Sequence, residues 1–467
     1  MLEPFVRANL HRWQTAYERF PAPARHLIAS ARGLLLARVR YAPKTFRILR
    51  DLRGHEAWDA AQIRAYQLRA LQMTLDLARE TVPFYGAYPA VQIRTFDDLR
   101  RLPVLQRETL RQNQERFISR AVPRSRIVRA GTTGTSGGNL HVAYTEEILR
   151  ANWAFLLRQR AWAGVGPREP RLTLQGARVA PVHSANPPFW VHNVAERQIL
   201  MSIFHLSEQT APAYLQFLRA HQAIVLEGFP SALSILADFA LARGERIPMR
   251  VLFTSGEPLY APARKKIEEA FCARVFDSYG MTELCGLIQE CEHGQMHLLP
   301  DYGFLEILDE NDEPAACGEE GHLVWTGFLN STMPLIRYRI GDRGRWLAAE
   351  GCACGRRFPP VVPTITRESD LLRCPDGRVF SPRALNQILK QSGSLRFCQF
   401  IHERRERVVV RAVGSNGRGL DEMMCVRASL QDLLGPRMEV IAHLADEPFE
   451  GAGGKIPLIV NRVGRDD

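Results

Sequence analysis

In 467 residues the sequence holds no apolar run approaching the ~18 residues that a membrane-spanning helix needs. The opening Met1-Leu-Glu-Pro-Phe-Val-Arg7 lacks the charged-then-apolar pattern and cleavage site of an export signal, so a cytoplasmic location is expected. Cysteine is sparse. Nine residues thinly spread cannot form a disulfide framework for so long a chain, which makes reduced thiols the expectation and any clustered subset a candidate for metal binding. Also missing is a recognition-helix or RNA-binding signature, and the lysines and arginines behind the net charge of +11 are dispersed. No nucleic-acid partner is expected; the charge suits anionic ligands such as nucleotides.

What is present is ample material for burial, with 46% apolar residues over a length that exceeds what one hydrophobic core serves. A large domain plus a smaller one follows. The densest basic stretch is Arg32 to Arg53, where Leu34-Leu35-Leu36 and Phe46, Ile48 and Leu49 alternate with Arg38, Arg40, Lys44, Arg47 and Arg50. It has two readings: helices packed on the body with a solvated basic face, or a peripheral contact with an anionic membrane. Residues 1 to about 120 form a mostly helical preface, with apolar residues at helical spacing from Trp58 to Glu80.

The run Arg129-Ala-Gly-Thr-Thr-Gly-Thr-Ser-Gly-Gly-Asn139 has no packing rationale. Glycines admit positive φ and close approach, while backbone N–H groups and the hydroxyls of Thr132, Thr133, Thr135 and Ser136 can donate to phosphate oxygens. It is not a Walker A sequence, since Gly137-Gly138-Asn139 stands where Gly-Lys-Ser/Thr would be needed. On composition alone a flexible linker reads the same way.

After a helix over Glu146 to Ala163 and a strand at Arg171 to Gln175, the rhythm becomes regular. Helices at Thr210–His221, Ser231–Arg243 and Pro262–Phe271 alternate with strands at 223–229, Arg250–Ser255 and Arg274–Tyr279. That alternation predicts an α/β fold with a parallel sheet, whose ligands bind at the carboxyl ends of the strands. Two clusters lie at such ends: Ser255-Gly256-Glu257-Pro258-Leu259, and Asp277-Ser-Tyr279-Gly280-Met-Thr282-Glu283, whose last residues are read as opening a helix. Tyr279 can stack on a flat base, Asp277 can accept from an exocyclic amine, and Glu283 offers a hard oxygen to magnesium. A β-rich segment with strands at Gly303–Leu308 and His322–Thr326 ends in Arg337-Tyr-Arg-Ile-Gly-Asp342. There a carboxylate can accept from ribose hydroxyls.

In this order the motifs resemble those of the adenylate-forming superfamily, on the branch of the phenylacetate-CoA ligases and their relatives in biosynthetic gene clusters. The resemblance covers residues 131 to 455 and includes the Arg367 to Asp370 junction and the late Gly454-Lys455. It implies a large adenylation domain over 1–367 and a small, mobile α+β domain over 368–467, hinged at Asp370. Thr132, Thr133, Gly134, Thr135, Ser136 and Gly137 would hold the β- and γ-phosphates of ATP. Gly256, Glu257 and Pro258 with Asp277, Tyr279 and Gly280 would line the adenine pocket. Thr282 and Glu283 would take the α-phosphate and Mg²⁺, Asp342 and Arg367 the ribose, and Lys455 the charge that develops at the α-phosphate. The implied reaction joins a carboxylic acid to AMP and then to a thiol, coenzyme A first among the acceptors, with a carrier-protein thiol or an amine as the alternative. A non-catalytic nucleotide-binding scaffold is the reading from another class. The implied protein is a monomer or homodimer. Asn139 departs from relatives that carry lysine there.

Cys291-Glu-His-Gly-Gln-Met-His297 and Gly351-Cys-Ala-Cys-Gly355 supply the four ligands of a closed tetrahedral zinc site, a pattern that branch members similar to this chain carry. Cys291, His297, Cys352 and Cys354 are the expected structural set, with His293 as the rival to His297.

Overall fold

The computed structural model describes residues 17, 20–132, 140–175, 179–181, 184, 186–203, 205–206, 208–221, 224–348, 351–364, 372–375, 379–380, 385, 395–414, 419–445 and 458–463. The chain splits into two compact units, and the division falls between Thr364 and Leu372 among these residues.

Among the described residues the first unit begins with the helices α1 (Ala22–Arg40), α2 (Pro43–Gly54) and α3 (Ala60–Thr81). Prolines sit in the first turns of α1 and α2, where backbone N–H groups have no intrahelical acceptor to lose. Asp59 starts α3 with a capping box: its carboxylate accepts from the Gln62 backbone at 2.8 Å, and the Gln62 side chain accepts from the Asp59 N–H at 3.0 Å. The short β1 (Leu105–Gln106) and α4 (Arg107–Gln112) follow, then a hairpin of β2 (Val128–Thr132) and β3 (Leu140–Tyr144) in which Thr132 pairs with Leu140. The hydroxyl-rich segment therefore joins two paired strands; its residues 133–139 lie outside the described set.

Next come α5 (Glu146–Trp162), β4 (Arg171–Leu174), β5 (Trp190–Asn193), β6 (Gln198–Met201), α6 (Ala211–Ala220), β7 (Val225–Gly228), α7 (Pro230–Leu241), β8 (Val251–Ser255), α8 (Ala261–Phe271), β9 (Val275–Gly280), β10 (Leu287–Glu290) and β11 (Met296–Leu298). They build an eight-stranded sheet in the order β11-β10-β9-β8-β7-β4-β6-β5, whose five central strands from β9 to β6 are parallel. Helices α6, α7 and α8 cover one face, packing Leu215, Leu233 and Ile267 on Leu172, Leu226 and Leu252. Val225, Val251, Phe253 and Phe276 fill a core on the other face. Burial on both faces explains why these strands read as apolar runs.

The β-rich segment is β12 (Gly303–Leu308), β13 (Gly321–Gly327), β14 (Tyr338–Trp346) and β15 (Val361–Thr364). With β1 parallel to β14, it makes a five-stranded, otherwise antiparallel sheet. The largest core lies between this sheet, α3 and the β9–β10 turn.

In the second unit, β16 (Leu372–Arg373) pairs with β17 (Val379–Phe380), and β18 (Leu395–Arg404), β19 (Arg407–Gly414), β20 (Glu439–Ala445) and β21 (Ile459–Asn461) form a four-stranded mixed sheet. Helix α9 (Gly419–Leu434) packs Met423, Val426 and Leu430 on Phe400, Val408 and Val410. Among the described residues no helix is long and apolar enough to cross a membrane.

Candidate active site

The carboxyl ends of β8 and β9 meet the second sheet, and glycine makes the meeting close. A Cβ on Gly286 would lie 2.3 Å from the indole of Trp325, and one on Gly327 would lie 2.7 Å from the Cα of Cys285. With neither side chain present, the segment after β9 presses onto β13. It does so as a turn, with Leu284 at φ +55°, and then enters β10. The helix read for Met281–Glu283 does not form, because the chain must reverse there to pair β10 with β9.

Across this junction two residues four apart meet two others four apart. Tyr279 and Glu283 come from the β9 end; Tyr338 and Asp342 come from one face of β14, where burial alternates with period two. The Tyr279 hydroxyl donates to Asp342 Oδ2 at 2.8 Å, and the Tyr338 hydroxyl donates to Glu283 Oε1 at 3.2 Å. Burial, and the Glu283 carboxylate after it, hold the Tyr338 hydroxyl well above its ordinary pKa, so it stays a donor. Glu283 is 3% exposed, and no lysine or arginine pairs with it among the described residues. A buried carboxylate whose partner is a neutral hydroxyl is short of positive charge, and this environment fits a cation.

Tyr279 is buried and lies nearly parallel to Trp325, with ring centroids 6.3 Å apart. One side of its ring is therefore already occupied by the core. Asp277 is fixed from three directions. Thr254 donates to Oδ1 at 2.7 Å, the Asp277 N–H donates to Glu290 Oε2 at 2.9 Å, and its carbonyl accepts from Gln159 Nε2 at 2.8 Å. Burial pushes its carboxyl up to about 6. Gly256 turns the chain at φ +80°, and Glu257 Oε2 accepts from the Ser231 backbone at 3.1 Å in the first turn of α7. This contact joins the loop after β8 to the helix after β7. Gly280 and Thr282 are exposed at the rim. Thr133, Gly134, Thr135, Ser136, Gly137, Arg367, Asp370 and Lys455 lie outside the described residues, and for Thr132 the structure describes the backbone only.

Sequence reasoning passed over Tyr338, Trp325, Thr254 and Glu290. For Tyr338 the signal was there: it stands one turn of the period-two pattern before Ile340 and Asp342 within the same motif. The other three are brought in by pairing alone. Phe189 is core, stacked on Tyr214 at 5.5 Å, and Glu227 is taken by Arg160, Arg171 and Thr173.

The cysteines and histidine converge at the far end of β10 and β11. One ligand atom from each of Cys291, His297, Cys352 and Cys354 lies within 4.8 Å of the others. Cys291 Sγ and Cys352 Sγ are 3.7 Å apart, and Cys354 Sγ is 3.5 Å from His297 Nε2. Tetrahedral zinc with ordinary bond lengths separates two sulfurs by about 3.8 Å and a sulfur from a nitrogen by about 3.5 Å. His297 Nδ1 donates to the Phe358 carbonyl at 2.8 Å, leaving Nε2 as the lone-pair nitrogen facing the thiols. The Cys291 thiol accepts from the His293 backbone at 3.4 Å. His297, not His293, therefore completes the set.

A family model described as AMP-binding enzyme matches residues 189–333, which include the ends of β8 and β9 and the turn carrying Glu283. The chain is similar to the phenylacetate-coenzyme A ligase of Thermus thermophilus, 28% identical over 67% of this chain and 72% of that one. The chain is thus similar to adenylate-forming enzymes over the segment that carries the ends of β8 and β9. The chain is also similar to Protein CapK of Staphylococcus aureus, 23% identical over 70% of this chain and 71% of that protein. The fold is similar to that of a crystal structure of 2-hydroxyisobutyryl-CoA ligase, with a TM-score of 0.65, 21% identity, and coverage of 88% of this chain and 92% of that one. The Tyr279–Asp342 and Glu283–Tyr338 pairs sit where an α/β sheet binds ligands.

Proposed function

We propose that this protein is an adenylate-forming enzyme, an ATP-dependent acyl-CoA ligase for an apolar, aryl-type carboxylic acid, the class named by its phenylacetate-CoA ligase relatives. The observation that carries the reading is the buried Glu283 carboxylate, held by Tyr338 with no basic partner among the described residues. Glu283 would hold the Mg²⁺ of a magnesium–nucleotide complex, whose ion would supply the missing positive charge. When bound there, Mg²⁺ neutralises charge on the phosphates.

In the first half-reaction an oxygen of the acid attacks the α-phosphorus of ATP, a P–O bond forms, and pyrophosphate leaves. The chain's part is to align and to balance charge. Asp277, fixed by Thr254, accepts from the adenine amine, and Gly256, Pro258 and Gly280 leave room for the base beside Tyr279. Asp342, oriented by the Tyr279 hydroxyl, accepts from the ribose with Arg367 as its companion. Thr282 donates to the α-phosphate, the 132–137 segment holds the outer phosphates, and Lys455 meets the charge growing on the α-phosphate. In the second half-reaction the coenzyme A thiol gives up its proton, its sulfur attacks the acyl carbon, and AMP departs. Residues 1–367 would form the adenylating domain and 368–467 the domain that turns about Asp370.

The four-ligand set at Cys291, His297, Cys352 and Cys354 fits zinc in a structural role, because four protein donors leave no position for a substrate. ATP and coenzyme A as substrates agree with a cytoplasmic protein.

The test is incubation with ATP, Mg²⁺ and a panel of carboxylic acids, with and without coenzyme A. AMP and the acyl thioester are followed by mass spectrometry. The reading expects thioester with at least one aryl acid. Acid-dependent AMP that ignores coenzyme A would move the acceptor to a carrier protein or an amine, and no AMP with any acid would support a scaffold. Lys455→Ala is expected to lower acyl-adenylate formation by about 100-fold or more while ATP still binds.

A further inference from the structure

We propose that the outward face of α1 and α2 docks the protein on an anionic lipid surface. The inner face of α1 is committed to the body. Arg25 donates to the Val179 carbonyl at 2.9 Å, Ser30 to the His192 carbonyl at 3.1 Å, and Gly33 lies against Asn193, where a Cβ would meet Oδ1 at 1.8 Å. Arg40 closes the contact with both oxygens of Glu196, at 2.8 and 2.9 Å. This fixes which side of the helix looks out.

That side is apolar. Leu27, Ala31, Leu34 and Leu35 follow helical spacing on one stripe; Leu27 is 72% and Leu34 53% exposed. Ten large apolar side chains are exposed among the described residues, and Phe20, Leu27, Ile28, Leu34 and Leu35 are five of them. A sixth, Val194, is tied to α1 through its N–H to Ser30 Oγ at 3.1 Å. Scattered exposed leucines need no account, but more than half gathered at one helix do.

The charge beside the stripe has one sign. Residues 20–54 hold eight lysines and arginines against the single Asp51, and so carry most of the chain's net +11. Arg32 and Arg38 are exposed on α1, and Lys44, Arg47 and Arg50 are exposed at one-turn spacing along α2, with Arg53 beyond them. The acidic neighbours are Asp51, 3.7 Å from Arg50, and Glu147 near Lys44, all of them exposed.

Exposed leucines bordered by cations match a surface with apolar depth beneath phosphate, and long basic side chains reach the phosphates while their stems stay with the leucines. A nucleic acid offers the phosphate without the apolar layer. A second copy across a two-fold axis would set these cations against their equivalents, which opposes association. With no helix able to span among the described residues, the contact is one of lying on the membrane.

The test is co-sedimentation of the full-length protein with vesicles of equimolar phosphatidylglycerol and phosphatidylcholine, against vesicles of phosphatidylcholine alone. Binding to the mixed vesicles is expected, weakening as salt rises. The Leu27→Ser/Leu34→Ser pair and, independently, the Arg47→Glu/Arg50→Glu pair are each expected to lower the bound fraction about tenfold with thermal unfolding unchanged. The proposal is overturned if the protein shows no preference for anionic vesicles, or if both variant pairs bind as the wild type does. It is equally overturned if light scattering shows a dimer that the leucine pair abolishes, because a second copy would then own the face.

Discussion

At the residue scale, Asp277 carries a cost that pH can reveal. Burial raises its carboxyl to about 6, against an ordinary 3.8, so between about pH 4 and 6 the folded chain binds more protons than the unfolded one. Stability therefore falls as pH rises through that window and stays penalised above it. Asp277→Asn keeps an oxygen for the Thr254 hydroxyl and removes the charge. It is expected to gain roughly 2 kcal/mol at pH 7 and to flatten the slope between pH 4 and 6, as read by urea unfolding. A variant less stable at pH 7, with the slope unchanged, would show that the carboxylate is not strained. Glu283 was legible as a charged residue after a strand and Asp342 as the end of the Arg337–Asp342 motif, which the structure places inside β14, but their pairing with the Tyr338 and Tyr279 hydroxyls was not. Tyr279 read as a free stacking platform because Trp325, 46 positions later, meets it only through the packing of the second sheet.

At the scale of elements, the alternation that predicts helices and strands from Thr210 to Tyr279 is met by α6 through β9, with ends shifted by one or two residues. Apolar runs on a doubly covered sheet leave that pattern in the sequence. The turn after Gly280 was misread as a helix. Its reason is the approach to Trp325 that Gly286 allows, a long-range contact with no local signature. The antiparallel edge of β10 and β11 belongs with the same turn, and its far end carries the Cys291–His297–Cys352–Cys354 set, whose spacing was legible. Glu290 ends β10 immediately before Cys291 and accepts from the Asp277 backbone and from Arg264 at 2.6 Å. The Cys352→Ser/Cys354→Ser pair is expected to purify without zinc by elemental analysis and to melt about 5 °C or more below the wild type. Zinc retained by this pair would refute the ligand set.

At the scale of the whole molecule, two compact units hold the motifs in an order that agrees with the adenylate-forming enzymes, and the densest basic stretch lies on α1 and α2. The 131–138 run was ambiguous between linker and phosphate cradle on composition alone. The strand-end clusters at 255 and 277 gave it a context, and β2 and β3 now pair on either side of it. The account rests most heavily on Glu283 as the buried, uncompensated carboxylate that a magnesium–nucleotide complex completes. Exchange of labelled pyrophosphate into ATP, dependent on a carboxylic acid and on Mg²⁺, measures that step without the acceptor. Wild-type protein is predicted to exchange, and Glu283→Ala to lose about 100-fold or more of the rate while remaining folded. Exchange at the wild-type rate in Glu283→Ala would contradict the account.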